Sequence, residues 1–240
     1  NEFLILEGGK MSKSSGNFIT LQTPLPPEKG YSLKDKGYEP LDYRFFLLSG
    51  HYRKPLVFSM NGMDSAKQGR AALNERVAKL VTKTRTEEKL DLTKENYAEV
   101  LGNISASLPE SDSLKKFREG LENDLATPVA MSAIQKESNG KGRKASESLA
   151  DIFKMDKVIS LSVIENAITL ADKLSKEAST PQADAHKGDP EAAEINTLIQ
   201  ARQDAKKNKD FAKADEIRNT LSARGITIID TPTGPTWKRN

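Results

Sequence analysis

The chain contains no cysteine among its 240 residues and only two histidines, His51 and His186. Disulfides, thiolate metal ligands and cysteine nucleophiles are therefore excluded within it. Aromatic residues make up 6% of the sequence, with a single tryptophan, and no apolar run reaches the ~20 residues that a membrane-spanning helix needs. These absences remove several classes of site and leave nucleotide and nucleic-acid chemistry open.

The charges of the chain are nearly balanced. There are 37 lysines and arginines against 34 aspartates and glutamates, which gives a net charge of +3. Charged residues make up 30% of the sequence and hydrophobic residues 36%, which indicates a large and mainly helical surface. The length is enough for one or two domains with a core. A net charge this close to zero does not by itself indicate nucleic-acid binding. Such binding would therefore depend on local basic patches.

The first twenty residues predict two short strands joined by a loop. The apolar runs Phe3-Leu4-Ile5-Leu6 and Phe18-Ile19-Thr20-Leu21 are typical of short strands. Because the chain begins at Asn1, directly before the first run, we expect it to be a fragment of a longer protein or one piece of a split one.

The loop between these strands carries two lysines three residues apart, among small hydroxyl residues and with glycines on both sides. It reads Gly8-Gly9-Lys10-Met11-Ser12-Lys13-Ser14-Ser15-Gly16-Asn17. The glycines allow backbone conformations closed to other residues, which favours a mobile loop. Long lysine side chains can follow the charge of a leaving pyrophosphate, and hydroxyl and N–H groups can donate to phosphate oxygens. A solvated basic turn is the alternative for such a run.

The next feature is an apolar segment that leads into a basic and aromatic cluster. Residues 41–48 predict a helix, and Gly50 follows it. His51, Tyr52, Arg53 and Lys54 then place cationic and aromatic groups together, as a contact with an RNA backbone requires. Taken alone, His51 also fits a capping or packed histidine.

The middle of the chain predicts a bundle of antiparallel helices. Residues 23–36 are dense in proline and are expected to be an exposed excursion without regular structure. Residues 140–144 are expected to be a solvated basic loop. Apolar residues at helical spacing predict helices over 65–83, 97–107, 114–125, 128–138, 145–153 and 163–178.

Beyond a linker-like stretch at 179–190, the sequence predicts a small α/β domain. One helix carries Ile195, Leu198 and Ile199, a second is capped by Asp210, and a short strand covers 226–229. Basic residues crowd the turn between the helices. The residues that could contact RNA are Lys206, Lys207, Phe211, Asp215 and Asp230. Carboxylates accept from base amino groups and aromatics stack on bases, although Phe211 equally fits core packing and Asp230 equally fits a cap of the following turn.

Several of these segments resemble one known family. Lys-Met-Ser-Lys-Ser followed by Gly-Asn, at 10–17, resembles the second signature of class I aminoacyl-tRNA synthetases. The segments 44–55, 117–128 and 209–237 resemble cysteinyl-tRNA synthetases in particular. The resemblance covers residues 3–239 in the order of the family and is weakest over 83–115 and 140–175.

The resemblance implies a fold and a set of sites. The fold would be mainly α, with the end of a class I catalytic core at 1–61, a helical bundle at 62–178, a linker at 179–190 and an α/β anticodon-binding domain at 191–240. ATP, with Mg, would be contacted by Lys13 with Lys10 assisting, and Ser12 and Ser14 would line the same loop. The contacts with tRNA(Cys) would come from Arg53, Lys206, Lys207, Phe211, Asp215 and Asp230. Family members tend to carry arginine or a similar basic group where this chain has Lys206.

Parts of the family's active site have no counterpart here. Neither His51 nor His186 fits the first signature, His-x-Gly-His, and the cysteine and histidine ligands of the family's zinc are missing. The resemblance therefore implies that zinc lies in an N-terminal portion, that this chain holds no metal, and that it is inactive by itself. We expect the C-terminal portion of a cytoplasmic cysteine–tRNA ligase, whose partners are cysteine, ATP, tRNA(Cys) and its own N-terminal portion.

Two other interpretations are weighed against this one. A mycothiol-type cysteine ligase resembles the catalytic half, but its amino-sugar acceptor has no anticodon for residues 186–240 to read. A non-catalytic tRNA-binding module would have no use for Lys10 and Lys13. The sequence upstream of Asn1 would distinguish these interpretations most directly.

Overall fold

The protein is mainly helical, as predicted. The computed structural model describes residues 4–7, 11, 12, 14–179, 191–207, 210–231 and 234–239, without the side chains of 177–179, 207, 211, 229–231 and 234–236. The helices in this part of the chain are α1 (Pro40–Leu48), α2 (Met60–Thr86), α3 (Tyr97–Ser107), α4 (Asp112–Glu122), α5 (Thr127–Glu137), α6 (Ala145–Ile159), α7 (Val163–Ser179), α8 (Ala192–Lys207) and α9 (Phe211–Ala223). The strands are β1 (Leu4–Leu6), β2 (Phe18–Thr20), β3 (Gly30–Ser32), β4 (Leu56–Phe58), β5 (Ile226–Thr231) and β6 (Gly234–Arg239).

The chain divides into two compact units, Asn1–Ala171 and Asp172–Asn240. The predicted linker at 179–190 falls almost entirely outside the described residues. None of the helices that the structure describes is both long and apolar enough to cross a membrane.

In the first unit, α1 and β4 share one core with the helical bundle. Phe46 packs edge-on against Phe58, with ring centroids 5.8 Å apart, and both are buried in the same cluster as Leu73 of α2 and Leu149 of α6. Helix α2 begins at a Ser59 cap, whose hydroxyl accepts from the N–H of Gly62 at 3.1 Å. Because α1 is anchored in this core, the segment that follows it, residues 49–54, is held against the bundle.

Two pairs of parallel strands frame the lysine loop. β1 pairs with β4, and β2 pairs with β3. The strand β3 corrects the expectation that residues 23–36 hold no regular element. Gly30 has a φ of +143°, and a Cβ there would lie 1.8 Å from the carbonyl oxygen of Phe18, so this glycine permits the close approach of the two strands. The strand has only three residues and follows closely after three prolines, so the sequence pattern did not indicate it.

The loop at 140–144 is exposed at Lys141, Gly142 and Lys144, as predicted, but Arg143 turns inward and forms an ion cluster with buried carboxylates. Arg143 Nη1 lies 2.5 Å from a carboxylate oxygen of Asp151 and 2.9 Å from one of Glu137, and Nε lies 3.6 Å from Glu147. The side chain of Asp151 is 1% exposed and that of Glu137 is 7% exposed. Burial opposes the charge of Arg143, but the hydrogen bond to Asp151 and the surrounding carboxylates outweigh it and raise the pKa of Arg143. Arg143 is therefore a structural counter-ion inside the bundle.

The second unit packs α8, α9 and the β5–β6 hairpin around a small apolar core. The buried members of this core are Ile195, Ile199, Ile217, Leu221, Ile226 and Trp237. The predicted cap is confirmed, since a carboxylate oxygen of Asp210 accepts from the N–H of Lys213 at 3.1 Å. Trp237 donates through Nε1 to Asn196 Oδ1 at 2.9 Å. The single tryptophan is thus a core residue.

Candidate functional site

The lysine loop leaves β1 and enters β2, so parallel strand pairs fix both of its ends. Lys10 and Lys13, the two residues predicted to contact ATP, lie outside the described residues. Of the two predicted hydroxyl ligands, the structure shows Ser12 Oγ and Ser14 Oγ 2.7 Å apart and hydrogen-bonded to each other. The two hydroxyl groups therefore lie side by side.

Asn17 closes this loop, a role that the sequence did not indicate. Its Oδ1 accepts from the backbone N–H of Ser12 at 2.8 Å, and the N–H of Ser15 donates to the carbonyl oxygen of Ser12 at 3.3 Å. Between them, Gly16 has a φ of +67°, which glycine adopts without strain. Ser12 is thus linked to Ser15 and Asn17, directly before β2.

A cavity of about 200 Å³ lies beside Asn17. It is lined by Leu6, Glu7, Asn17, Ile19, Tyr31, Phe58, Ser59 and Met60. Small-molecule sites usually enclose roughly 300–1,000 Å³. The described residues by themselves therefore form only part of a site for a ligand of nucleotide size.

The basic and aromatic segment after α1 is held by one carboxylate, Asp124. The Tyr52 hydroxyl donates to Asp124 Oδ1 at 2.6 Å, and Arg53 Nε lies 3.1 Å from Oδ1 and 2.9 Å from Oδ2. His51 Nε2 lies 3.8 Å from Oδ2. The hydrogen bond from Tyr52, reinforced by the charge of Arg53, holds the pKa of Asp124 below its usual range. Asp124 therefore meets the segment as an ionised group.

His51 behaves as a packed residue in this cluster. Its Nδ1 accepts from the backbone N–H of Arg53 at 3.2 Å, so in the neutral imidazole the proton is on Nε2, the atom nearest Asp124. Its ring stacks on Tyr52 with centroids 5.1 Å apart. Arg53, in contrast, is well exposed, with 66% of its side chain accessible.

Asp124 comes from the loop between α4 and α5, which has an unusual backbone. Asp124 and the next residue, Leu125, have φ values of +54° and +49°, a left-handed conformation that is uncommon outside glycine, asparagine and aspartate. The N–H of Ala126 returns to the carbonyl oxygen of Gly120 at 2.8 Å, and Thr127 Oγ1 donates to the carbonyl oxygen of Gly50 at 3.1 Å. The loop is therefore folded back so that its carboxylate reaches the 49–54 segment.

In the second unit, the structure places two predicted RNA contacts on the surface. The side chains of Lys206, near the end of α8, and Asp215, on α9, are exposed, and Asp215 Oδ1 lies 3.9 Å from Arg218 Nη1. The ends of α8 and α9 meet, since the N–H of Asp210 donates to the carbonyl oxygen of Ala205 at 2.9 Å. The side chains of Lys207, Phe211 and Asp230 lie outside those described.

Within the described residues, no group of three histidine, cysteine, aspartate or glutamate side chains could hold a metal ion.

The small unit and the whole chain resemble known proteins. Residues 190–237 match a family model described as the cysteinyl-tRNA ligase anticodon binding domain. The chain is also similar along its length to proteins named cysteine–tRNA ligase. The identity is 35% to the protein of Treponema denticola, over 100% of this chain and 45% of the relative. It is 37% to that of Treponema pallidum (strain Nichols), over 96% and 42%, and 32% to that of Borrelia turicatae, over 99% and 44%. The chain thus spans less than half the length of these relatives, in their C-terminal part.

Proposed function

Because the chain is homologous along its whole length to the C-terminal portion of cysteinyl-tRNA synthetases, we propose that it works as that portion of a cysteine–tRNA ligase in the cytoplasm. It would supply the lysine loop for activation of cysteine with ATP and Mg, and the surfaces that bind tRNA(Cys). The observation that carries the proposal is the presence of both parts in one chain, the signature at 10–17 and the anticodon-domain match at 190–237. A mycothiol-type ligase would have no use for the second part.

The strand environment of the lysine loop supports its role in activation. Parallel pairing on both sides of the loop fixes its ends, and the glycines Gly8 and Gly9 in its sequence favour a loop that can adapt to a ligand. A loop of this kind can close over a nucleotide and place cations on the leaving pyrophosphate. Asn17 and Ser12 would then set where the tip begins and ends.

The β1–β4 pair supports an association with the N-terminal catalytic portion of the same enzyme. Parallel sheets are normally covered on both faces. Here Ile5 is 45% exposed and Val57 is 53% exposed, on adjacent parallel strands that are paired directly with each other. Covering these apolar side chains would complete a sheet of the kind found in class I catalytic domains.

The charges of the small unit support RNA binding. Residues 191–240 contain nine lysines and arginines against seven aspartates and glutamates. A two-residue turn joins α9 to β5, and these elements pack together, so β5 returns along α9. The end of β5 that contains Asp230 therefore lies toward the N-terminal half of α9, which carries Asp215. The lysines at the α8–α9 turn would hold phosphates, and the two carboxylates would accept from bases.

We expect Asp230→Asn to reduce discrimination between tRNAs. The substitution removes a charged acceptor for a base amino or imino group, so it should cost about 1–3 kcal/mol of binding free energy to tRNA(Cys). The same change should have a smaller effect on a tRNA with a substituted anticodon. Affinities for both tRNAs, measured by filter binding at fixed salt, test this.

Two further variants separate base reading from other roles of Asp230. Lys207→Ala should weaken both tRNAs equally and lower the salt slope by about one unit. Glu216→Gln removes an equal charge from an exposed position of α9 and should leave the discrimination unchanged. If Asp230→Asn weakens both tRNAs by the same factor, Asp230 serves only to cap its turn.

A further inference from the structure

We infer that Asp124 is a positioning residue for tRNA binding: it fixes Arg53 so that the outer edge of the guanidinium group faces an RNA phosphate. The inference rests on the proposed function and extends it, since it identifies how a tRNA contact of the first unit is preset. Asp124 is 71 residues from Arg53 in the sequence, and only the fold brings the two together.

The geometry assigns separate tasks to the two sides of the guanidinium group. All described hydrogen bonds and ion pairs of Arg53's side chain are made through Nε, to the Tyr52 hydroxyl at 2.8 Å and to the two oxygens of Asp124. Within the part of the chain that the structure describes, no hydrogen bond is made by Nη1 or Nη2, and the side chain is 66% exposed. The two outer nitrogens form the planar fork that binds a phosphate through two parallel hydrogen bonds. Asp124 thus holds the inner side while the outer side stays open.

The ion pair between Arg53 and Asp124 adds little to the stability of the fold. Arg53 and Asp124 are both well exposed, at 66% and 42%, and ion pairs on a surface contribute little because water screens them. Yet the loop that provides Asp124 adopts two successive left-handed residues, Asp124 and Leu125, a conformation that is retained where the surrounding structure requires it. Leu125 is 54% exposed, so burial of that side chain does not impose the conformation.

A phosphodiester backbone is the partner that fits these groups. The cluster joins a fixed arginine fork to a neighbouring exposed lysine, Lys54, and the carboxylate of Asp124 is occupied by Tyr52 and Arg53. The Tyr52 ring is engaged by its neighbours, since His51 stacks on it at 5.1 Å between centroids and the Arg53 guanidinium carbon lies 5.4 Å from its centroid. The group of this cluster that is left to meet a ligand is the arginine fork, which suits a phosphate.

The direction in which Asp124→Asn changes tRNA affinity distinguishes a positioning role from a purely electrostatic one. Asp124→Asn keeps an acceptor for Tyr52 and a residue that tolerates the left-handed conformation, so the chain should still fold. If Asp124 were only a negative charge near RNA, its removal would leave tRNA binding unchanged or tighten it. If Asp124 positions Arg53, its removal should weaken tRNA(Cys) binding by about three- to fivefold, the scale of an exposed charge-assisted contact.

The experiment measures tRNA(Cys) binding by the 240-residue chain over a range of salt concentrations. Arg53→Ala and Arg53→Lys should each weaken binding at least as much as Asp124→Asn, and Asp124→Asn should cost nothing further when combined with Arg53→Ala. Arg53→Ala and Asp124→Asn should each flatten the salt dependence of tRNA binding by up to about one unit of slope. Glu119→Gln, which removes an equal charge from an exposed position on α4, serves as the matched control and should bind as the wild type does.

Two failures are distinguishable. If the wild-type chain binds tRNA(Cys) and Asp124→Asn binds it equally well or more tightly, the positioning role is wrong and the proposed function stands. If the wild-type chain itself binds no tRNA, the proposed function fails, and this inference fails with it. A lowered melting temperature of Asp124→Asn with unchanged binding would also overturn the inference, because it would leave Asp124 as a structural link only.

Discussion

We expect Lys13→Ala, made in the complete ligase that contains this chain, to slow cysteine activation by about 10²–10³-fold, the usual scale for removing one electrostatic contact to a transition state. Lys13 is the second lysine of the signature loop, and its charge would offset the negative charge that develops on the leaving pyrophosphate. The ground state of bound ATP carries less of this charge at the breaking bond. The loss should therefore appear mainly in kcat, with a smaller change in KM for ATP.

Pyrophosphate exchange dependent on cysteine measures this step without tRNA. Lys34→Ala is the matched control, because Lys34 is an exposed lysine in the turn after β3, close in sequence but outside the signature. It should exchange at the wild-type rate. A Lys13→Ala enzyme that exchanges pyrophosphate at nearly the wild-type rate would remove Lys13 from the activation step.

The second large effect is expected at Arg143, inside the helical bundle. Arg143→Met should lower the free energy of unfolding by about 3–5 kcal/mol, because it leaves buried carboxylates without their counter-ion. Asp151 is 1% exposed, and its Oδ1 already has no hydrogen-bond partner among the described residues. Urea unfolding followed by circular dichroism measures the change.

Arg118→Met is the matched control for Arg143→Met. Arg118 also contacts two carboxylates, those of Glu110 and Glu122, but its side chain is 48% exposed. Because water screens these pairs, the substitution should lower the free energy of unfolding far less than Arg143→Met does. If the two substitutions lower the free energy of unfolding equally, burial is not the reason that the Arg143 cluster stabilises the fold.

The helices could be predicted from the sequence because their signals are local. Apolar residues at helical spacing gave the bounds of α3, Tyr97–Ser107, and the carboxylate of Asp210 indicated the start of α9. The signature at 10–17 likewise lies in one continuous run. Features of this kind depend on neighbours a few residues away, and the sequence shows them directly.

The features that could not be predicted depend on partners distant in the sequence. β3 exists because Gly30 lets its backbone approach Phe18, which no pattern within residues 23–36 reveals. Arg143 was assigned to a solvated loop because its carboxylate partners lie on two different helices, α5 and α6. Asp124 falls within the helix predicted at 114–125, and its partner Arg53 lies 71 residues earlier, so the sequence does not show their contact.

The central claim is that this chain recognises tRNA(Cys), and its most direct test is a comparison of two ligands. The wild-type chain is titrated with tRNA(Cys) and with the same tRNA carrying a substituted anticodon, at one salt concentration. Each base read by a carboxylate contributes roughly 1–3 kcal/mol of discrimination, so we predict that the substituted tRNA binds at least about tenfold more weakly. Equal affinities for the two tRNAs would contradict the account and leave residues 191–240 as a general RNA-binding domain.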